Sequence, residues 1–122
     1  MRALVIDDSR AMRAILRKIL GEVGFEVFEA TSVEDGLATM AATAGIRLAL
    51  VDWNLPGLPG IEFVRAIRAN PRFRNVRMLM VTTETELPRM AMALEAGAHE
   101  YLMKPFTRAS LIDKLTQVGA TA

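Results

Sequence analysis

Several short apolar segments of this sequence end at a polar side chain that could take part in chemistry. Apolar runs of this kind are typical of strands buried on both faces of a parallel sheet. Because the carboxyl ends of parallel strands open on the same edge of a sheet, we expect the polar side chains that follow them to converge. In chain order these side chains are Asp7, Asp8, Asp52, Thr82 and Lys104.

Three carboxylates at one edge would repel each other unless a cation lies between them. Oxygen ligands without histidine or cysteine favour a hard cation, and Mg²⁺ is the usual one when phosphate oxygens complete the coordination. A carboxylate such as Asp52 can act as a nucleophile towards phosphorus. Lys104 and Thr82 can bind phosphoryl oxygens with an ammonium group and a hydroxyl group. The set therefore contains the parts that in-line phosphoryl transfer needs.

Strand and helix patterns alternate five times along the chain and would position these residues. The alternation predicts a parallel sheet with helices on both faces, in which ligands bind beyond the carboxyl ends of the strands. The predicted strands cover residues 3–6, 25–30, 48–51, 78–81 and 101–103. The helices between them are predicted to end at Gly24, Gly45, Asn70 and Gly97, and a last helix covers roughly residues 108–118.

The fourth predicted helix is amphipathic. Its spacing places Met92 towards solvent, either as part of an adaptable docking surface or as an isolated surface residue. His99 has no potential partner ligand nearby in the sequence, and we interpret it as an ordinary surface residue. The residues predicted to face the core are Leu87, Met90, Ala91 and Leu94.

Composition limits the class of protein. The chain has 122 residues, a formal net charge of +1 and no cysteine. We therefore expect one domain over residues 1–122, without disulfides or thiol chemistry, and a cytoplasmic location. The balanced charge gives no electrostatic case for binding nucleic acid or an anionic membrane. No segment is apolar over the length that a membrane span or a signal peptide requires.

Several motifs occur in a fixed order along the chain: Asp7-Asp8, Asp52 with Leu55-Pro56 and Gly60, Val81-Thr82, Ala96-Gly97-Ala98, Tyr101, and Lys104-Pro105-Phe106. Taken together and in this order, they make the chain resemble the receiver domains of two-component response regulators, from Ala3 to about Val118. The likeness is greatest to the stand-alone, CheY-like type, which has no output domain. It implies a flavodoxin-like fold with a five-stranded parallel sheet in the order 2-1-3-4-5.

The resemblance also implies a role for each acidic residue. Asp52 would accept a phosphoryl group from a histidine kinase or a phosphotransfer protein. Asp8, Asp52 and the backbone carbonyl of Asn54 would bind Mg²⁺ directly, and Asp7 would act through water. Asn54 and Glu84 occupy the two positions that tune autodephosphorylation in this family.

The remaining roles implied by the resemblance concern the switch. Lys104 would hold a phosphoryl oxygen, and the peptide bond between Lys104 and Pro105 would be cis. Thr82 would move towards the phosphoryl group, and Tyr101 would follow it inward. The face built by the fourth helix, the fifth strand and the fifth helix would then bind a downstream protein. We expect a monomer before phosphorylation, and no catalysis beyond its own phosphorylation and dephosphorylation.

Other interpretations of the same residues stay open. Asp7 and Asp8 could simply cap the first helix, Lys104 could be a solvated lysine, and Tyr101 could be a core residue. The chain could also be a receiver that binds its partner without phosphorylation. An aspartyl phosphohydrolase would typically need an acid two residues after Asp52, where this chain has Asn54. A flavin protein would need a phosphate-binding loop after the first strand, where two carboxylates would repel the phosphate.

Overall fold

The structure, a computed structural model, describes residues 1–120 apart from the side chain of Glu84. The strands are β1 (Arg2–Ile6), β2 (Glu26–Ala30), β3 (Ile46–Asp52), β4 (Arg77–Thr82) and β5 (Glu100–Met103). The helices are α1 (Arg10–Glu22), α2 (Val33–Ala42), α3 (Gly60–Ala69), α4 (Met90–Ala96) and α5 (Arg108–Gln117). Two segments are 3₁₀-helical, Pro71–Phe73 and Glu84–Arg89, and the second is called the 3₁₀ segment below.

The five strands are all parallel and lie in the order β2-β1-β3-β4-β5, which confirms the predicted fold class. The central strands are in register at their carboxyl ends, where Ile6 of β1 pairs with Val51 of β3 and Asp52 pairs with Val81 of β4. Because the strands end at nearly the same level, the residues that follow them face one shared edge of the sheet.

Hydrophobic side chains cover both faces of the sheet. The alternation of side chains along a strand sends Leu4 and Ile6 to one face and Ala3 and Val5 to the other. The first face packs against α2, α3 and α4, and the second packs against α1 and α5. Both faces of the central strands are therefore buried, which explains why β3 and β4 consist of continuous apolar runs. Over residues 1–120, no helix combines the length and the apolar character needed to cross a lipid bilayer.

The buried face of α4 differs from the prediction. Met90 and Ala93 are buried, whereas Ala91 is exposed and the exposed fraction of Leu94 is 40%. The reason is the 3₁₀ segment, which has three residues per turn and shifts the register of the helix that continues from it. The predicted exposure of Met92 is confirmed, at 51%.

His99 is also not the surface residue that the sequence suggested. Its Nδ1 atom accepts a hydrogen bond from the backbone N–H of Met78, at 3.1 Å, and the guanidinium groups of Arg68 and Arg77 lie beside the ring. Burial, followed by the charges of Arg68 and Arg77, lowers the pKa of His99. The imidazole therefore joins the start of β4 to the start of β5, at the edge of the sheet opposite the acidic residues.

Candidate functional site

The acidic residues meet where β1 and β3 end. One carboxylate oxygen from each of Asp7, Asp8 and Asp52 lies within 4.8 Å of the other two. Asp7 and Asp52 are buried, with exposed fractions of 1% and 8%, whereas Asp8 is exposed. The structure thus brings the three predicted carboxylates together at the carboxyl edge of the sheet.

Backbone contacts hold Asp7 in place. Its N–H donates to the carbonyl of Ala30 at the end of β2, and its Oδ1 atom accepts from the N–H of Ser9 at 2.8 Å. Ser9 in turn caps α1, because its hydroxyl oxygen accepts from the N–H of Met12. The first carboxylate of the site is therefore fixed by the turn that starts α1.

Lys104 lies between the two buried carboxylates. Its Nζ atom is 3.2 Å from Oδ2 of Asp7 and 3.4 Å from Oδ2 of Asp52. The backbone N–H of Lys104 donates to the carbonyl of Thr82, which ties the end of β5 to the end of β4. The peptide bond between Lys104 and Pro105 is cis, as the resemblance implies.

The electrostatics of the site favour the binding of a cation. Burial, followed by the negative charge of Asp7, raises the pKa of Asp52 to about 6, while Lys104 and the N–H of Asn54 act in the opposite direction. One ammonium group is thus shared by two buried carboxylates, and a third carboxylate lies next to them. The donor atoms are all oxygens, which suits a hard divalent cation.

The loop after β3 follows a tight path beside the site. The N–H of Trp53 donates to Val81 of the neighbouring strand, and the N–H of Gly60 donates back to the carbonyl of Trp53. A Cβ atom at Gly60 would overlap the carbonyl oxygen of Asp52. The position therefore requires glycine, and the start of α3 lies directly against the end of β3.

Thr82 is buried at the end of β4, but its hydroxyl is engaged elsewhere. The Oγ1 atom donates to the carbonyl oxygen of Thr83, at 3.2 Å. In this structure the hydroxyl makes no hydrogen bond to Asp52 or Lys104. A role for Thr82 in binding a phosphoryl group would require that bond to be exchanged.

Glu86 is a residue near the site that sequence reasoning missed. Its carboxylate is buried, with 6% of the residue exposed, and its Oε1 atom accepts a hydrogen bond from Nδ2 of Asn54. The backbone N–H of Asn54 also donates to Oδ1 of Asp52, at 3.3 Å. The side chain of Glu84, which was predicted to tune dephosphorylation, lies outside the described part of the structure. No sequence signal separates Glu86 from the other polar residues of this stretch, because its burial depends on the 3₁₀ segment.

Tyr101 lies in β5, half-buried against the core on the side of α4. The ammonium group of Lys114 in α5 is 5.0 Å from the centre of its ring. Around it, the face formed by α4, β5 and α5 exposes the apolar side chains of Met92, Leu94 and Met103.

The parallel sheet and the acidic residues at its carboxyl edge are those of a receiver domain. The chain belongs to the response regulator receiver domain family, whose family model matches residues 3–116. It is 37% identical to the chemotaxis protein CheY1 of Helicobacter pylori strain J99, over 99% of this chain and 98% of that protein. It is 33% identical to the chemotaxis protein CheY of Pseudomonas aeruginosa, over 97% and 95% of the two chains. A structure of the Vibrio cholerae chemotaxis protein CheY4 superposes with a TM-score of 0.88 at 31% identity, covering 96% of this chain and 97% of that one. These matches confirm the predicted family and the predicted likeness to CheY.

Proposed function

We propose that this chain is a signalling switch that accepts a phosphoryl group on Asp52 from the phosphohistidine of a kinase or phosphotransfer protein. The observation that carries the proposal is the position of the Lys104 ammonium group, 3.4 Å from Asp52 and 3.2 Å from Asp7. A lysine in this position can neutralise phosphoryl oxygens as they arrive at the Asp52 carboxylate. This position argues against the alternative that Lys104 is simply a solvated surface lysine, since its ammonium group lies between two buried carboxylates.

The proposed transfer step uses Asp52 and Lys104 in the positions that they occupy, and it requires Thr82 to exchange its hydrogen bond. A carboxylate oxygen of Asp52 attacks the phosphorus atom, an O–P bond forms, and the N–P bond to the donor imidazole breaks. The electron pair of the broken bond stays on the imidazole nitrogen, which then takes up a proton. Lys104 holds one oxygen of the transferred group, and the Thr82 hydroxyl donates to another after it leaves the carbonyl of Thr83. Hydrolysis later restores the Asp52 carboxylate and releases inorganic phosphate.

The same residues fit a magnesium ion. Asp8, Asp52 and the backbone carbonyl of Asn54 would hold it directly, and Asp7 would do so through water. The support for this assignment is a group of carboxylate oxygens within 4.8 Å of one another with only one ammonium group between the buried pair. When bound, Mg²⁺ supplies positive charge that offsets both the carboxylates and the phosphoryl oxygens.

The output of the switch would be the binding of a protein to the face formed by α4, β5 and α5. Three exposed apolar side chains on this face, those of Met92, Leu94 and Met103, are suited to a protein contact. The relatives named above are chemotaxis proteins, and we propose a comparable signalling role for this chain. A phosphohydrolase is less well supported, since Asn54 provides no acid two residues after Asp52 and its amide contacts Glu86.

The fluorescence of Trp53 offers a direct test. It is the single tryptophan, it is buried, and it adjoins Asp52. We expect one change when Mg²⁺ is titrated in, and a second change on addition of acetyl phosphate or beryllium fluoride. The second change should be lost in Asp52→Asn.

Each of the other outcomes has a distinct meaning. No response to Mg²⁺ would contradict the metal site. A response to Mg²⁺ without a response to either phosphoryl reagent would contradict phosphorylation by small donors and favour a receiver that acts without phosphorylation. A response of Asp52→Asn equal to that of the wild type would contradict Asp52 as the acceptor.

A further inference from the structure

We propose that Glu86 is a positioning residue that holds the side-chain amide of Asn54 away from the phosphoryl group and so prolongs the phosphorylated state. The inference rests on the proposed function, because it assumes that Asp52 carries the phosphoryl group. Glu86 lies in the 3₁₀ segment, and the sequence alone assigned it no role.

The contact itself is specific. Nδ2 of Asn54 donates to Oε1 of Glu86, and this is the one hydrogen bond that the Asn54 side chain makes within the described residues. The two residues are 32 positions apart, so the contact joins the loop after β3 to the segment between β4 and α4. Asn54 is exposed, whereas Glu86 is buried. Because the Glu86 carboxylate is buried, this hydrogen bond holds the Asn54 amide close to the 3₁₀ segment.

The carboxylate of Glu86 is poorly suited to a purely structural role. Its Oε2 atom is buried and has no hydrogen-bond partner among the described residues. Burying a carboxylate with one oxygen unpaired destabilises a fold, and such groups tend to occur where function requires them. An apolar residue would fill the same space without that cost. The presence of a half-satisfied carboxylate therefore points to the bond with Asn54 as its function.

The location of Asn54 gives this bond a chemical consequence. The backbone N–H of Asn54 already donates to Oδ1 of Asp52, so the side chain starts next to the acceptor carboxylate. A free amide there can donate to, or accept from, a water molecule that approaches the phosphorus atom. In hydrolysis the water oxygen forms a bond to phosphorus, the bond from phosphorus to Asp52 breaks, and a proton passes to solvent. With its amide held by Glu86, Asn54 contributes less to orienting that water.

The test compares the rate at which the phosphoryl group is lost from several variants after a pulse of acetyl phosphate with Mg²⁺. Glu86→Ala should lose it about fivefold faster than the wild type, the rate equivalent of one net hydrogen bond. Glu86→Gln should stay within about twofold of the wild type, because the glutamine carbonyl can accept the same bond. Glu95→Ala serves as a control, since Glu95 is an exposed carboxylate of α4 and its loss should leave the rate unchanged.

A double-mutant cycle separates positioning from a general structural effect. In the Asn54→Ala background, Glu86→Ala should no longer change the rate, because the amide through which it acts is gone. A rate that is unchanged or slower in Glu86→Ala would overturn the proposal. An equal acceleration with and without Asn54 would overturn it as well, since Glu86 would then act by another route.

The contact can also be followed without phosphorylation, by NMR of the Asn54 side-chain amide. Its signals should shift, and its protons should exchange faster, in Glu86→Ala but not in Glu86→Gln. Unchanged signals in Glu86→Ala would overturn the contact, and with it the claim about lifetime, while leaving the proposed function standing. A wild-type protein that accepts no phosphoryl group would overturn the proposed function and the lifetime claim together, while the amide signals would still report on the contact.

Discussion

The ammonium group of Lys114 lies 5.0 Å from the centre of the Tyr101 ring, which places a cation–π contact between α5 and β5. The same ammonium group is 3.5 Å from Oε1 of Glu100, so it is held between an aromatic ring and a carboxylate. Tyr101 is the side chain that we expect to move inward on activation. The contact with Lys114 stabilises the position that the ring occupies here.

Replacing Lys114 by Met should therefore release Tyr101. The methionine keeps the length of the side chain but removes the charge, and we expect the population of the inward ring position to rise about two- to fivefold, as for the loss of a partly exposed cation–π contact. Tyr101 is the only tyrosine, so ¹⁹F NMR of protein labelled with fluorotyrosine measures the two populations without assignment. Lys18→Met, at an exposed position of α1, is the matched control. Identical spectra for Lys114→Met and the control would contradict the prediction.

Lys104→Met should destabilise the metal-free protein. It leaves the carboxylates of Asp7 and Asp52 buried without the ammonium group that lies 3.2 and 3.4 Å from them. We expect the free energy of unfolding in EDTA at neutral pH to fall by about 2 kcal/mol, less than for many buried pairs because Asp52 can take up a proton. Urea unfolding measures this value. A loss no greater than that of Lys18→Met would mean that the ammonium group does not stabilise the site.

Asp52 should make the metal-free protein less stable as the pH rises. Its pKa is about 6 in the folded protein and 3.8 in an ordinary aspartate, so between these values the folded state binds more protons than the unfolded state. The contribution of Asp52 to the free energy of unfolding is fully present below about pH 4, where the carboxyl group is protonated in both states. It is lost as the pH rises through about 6, where the buried group ionises. We therefore expect Asp52→Asn to exceed the wild type in free energy of unfolding by about 2 kcal/mol at pH 8, and by little at pH 4.

Urea unfolding in EDTA at the two pH values measures this difference, and the comparison between the two proteins cancels the titrating groups that do not interact with Asp52. Mg²⁺ should reduce the difference at pH 8, because the cation favours the ionised carboxylate. A difference that does not depend on pH would contradict the raised pKa of Asp52.

Gly60→Ala should displace the end of β3. The added Cβ would overlap the carbonyl oxygen of Asp52, a backbone atom that cannot move aside without shifting the strand. We expect the free energy of unfolding to fall by about 2 kcal/mol and the Trp53 response to Mg²⁺ to weaken. Gly21→Ala is the matched control, since nothing lies near its Cβ position in α1 and alanine favours helix by up to about 1 kcal/mol. Equal effects of the two substitutions would contradict the close approach at Gly60.

The sequence was sufficient to predict the sheet and its polar edge. The continuous apolar runs of β3 and β4 are typical of central parallel strands, and each run stops at the residue that faces the edge. Parallel pairing then brings Asp7, Asp52 and Lys104 together without any knowledge of side-chain positions. The roles assigned to them remain the proposal made above.

Three details could not be predicted: the exposure of Leu94, the burial of Glu86 and the partial burial of His99. The 3₁₀ segment before α4 altered the helical phase, which exposed Leu94 and buried Glu86. His99 became partly buried because two arginines from other elements flank it, and such contacts leave no periodic pattern in the sequence. Periodicity predicts the existence of a helix reliably, but it cannot show where a turn of different pitch enters it.

The contact between Asp7 and Lys104 joins residues 97 positions apart and has a consequence for the chain as it is synthesised. Asp7, Asp8 and Asp52 all leave the ribosome well before Lys104 does. A nascent chain that has already formed β1 and β3 would carry the carboxylates without the ammonium group that moderates their repulsion. The proposed ability to accept a phosphoryl group would therefore arise late, when β5 docks against β4. Incomplete chains would not take part in signalling.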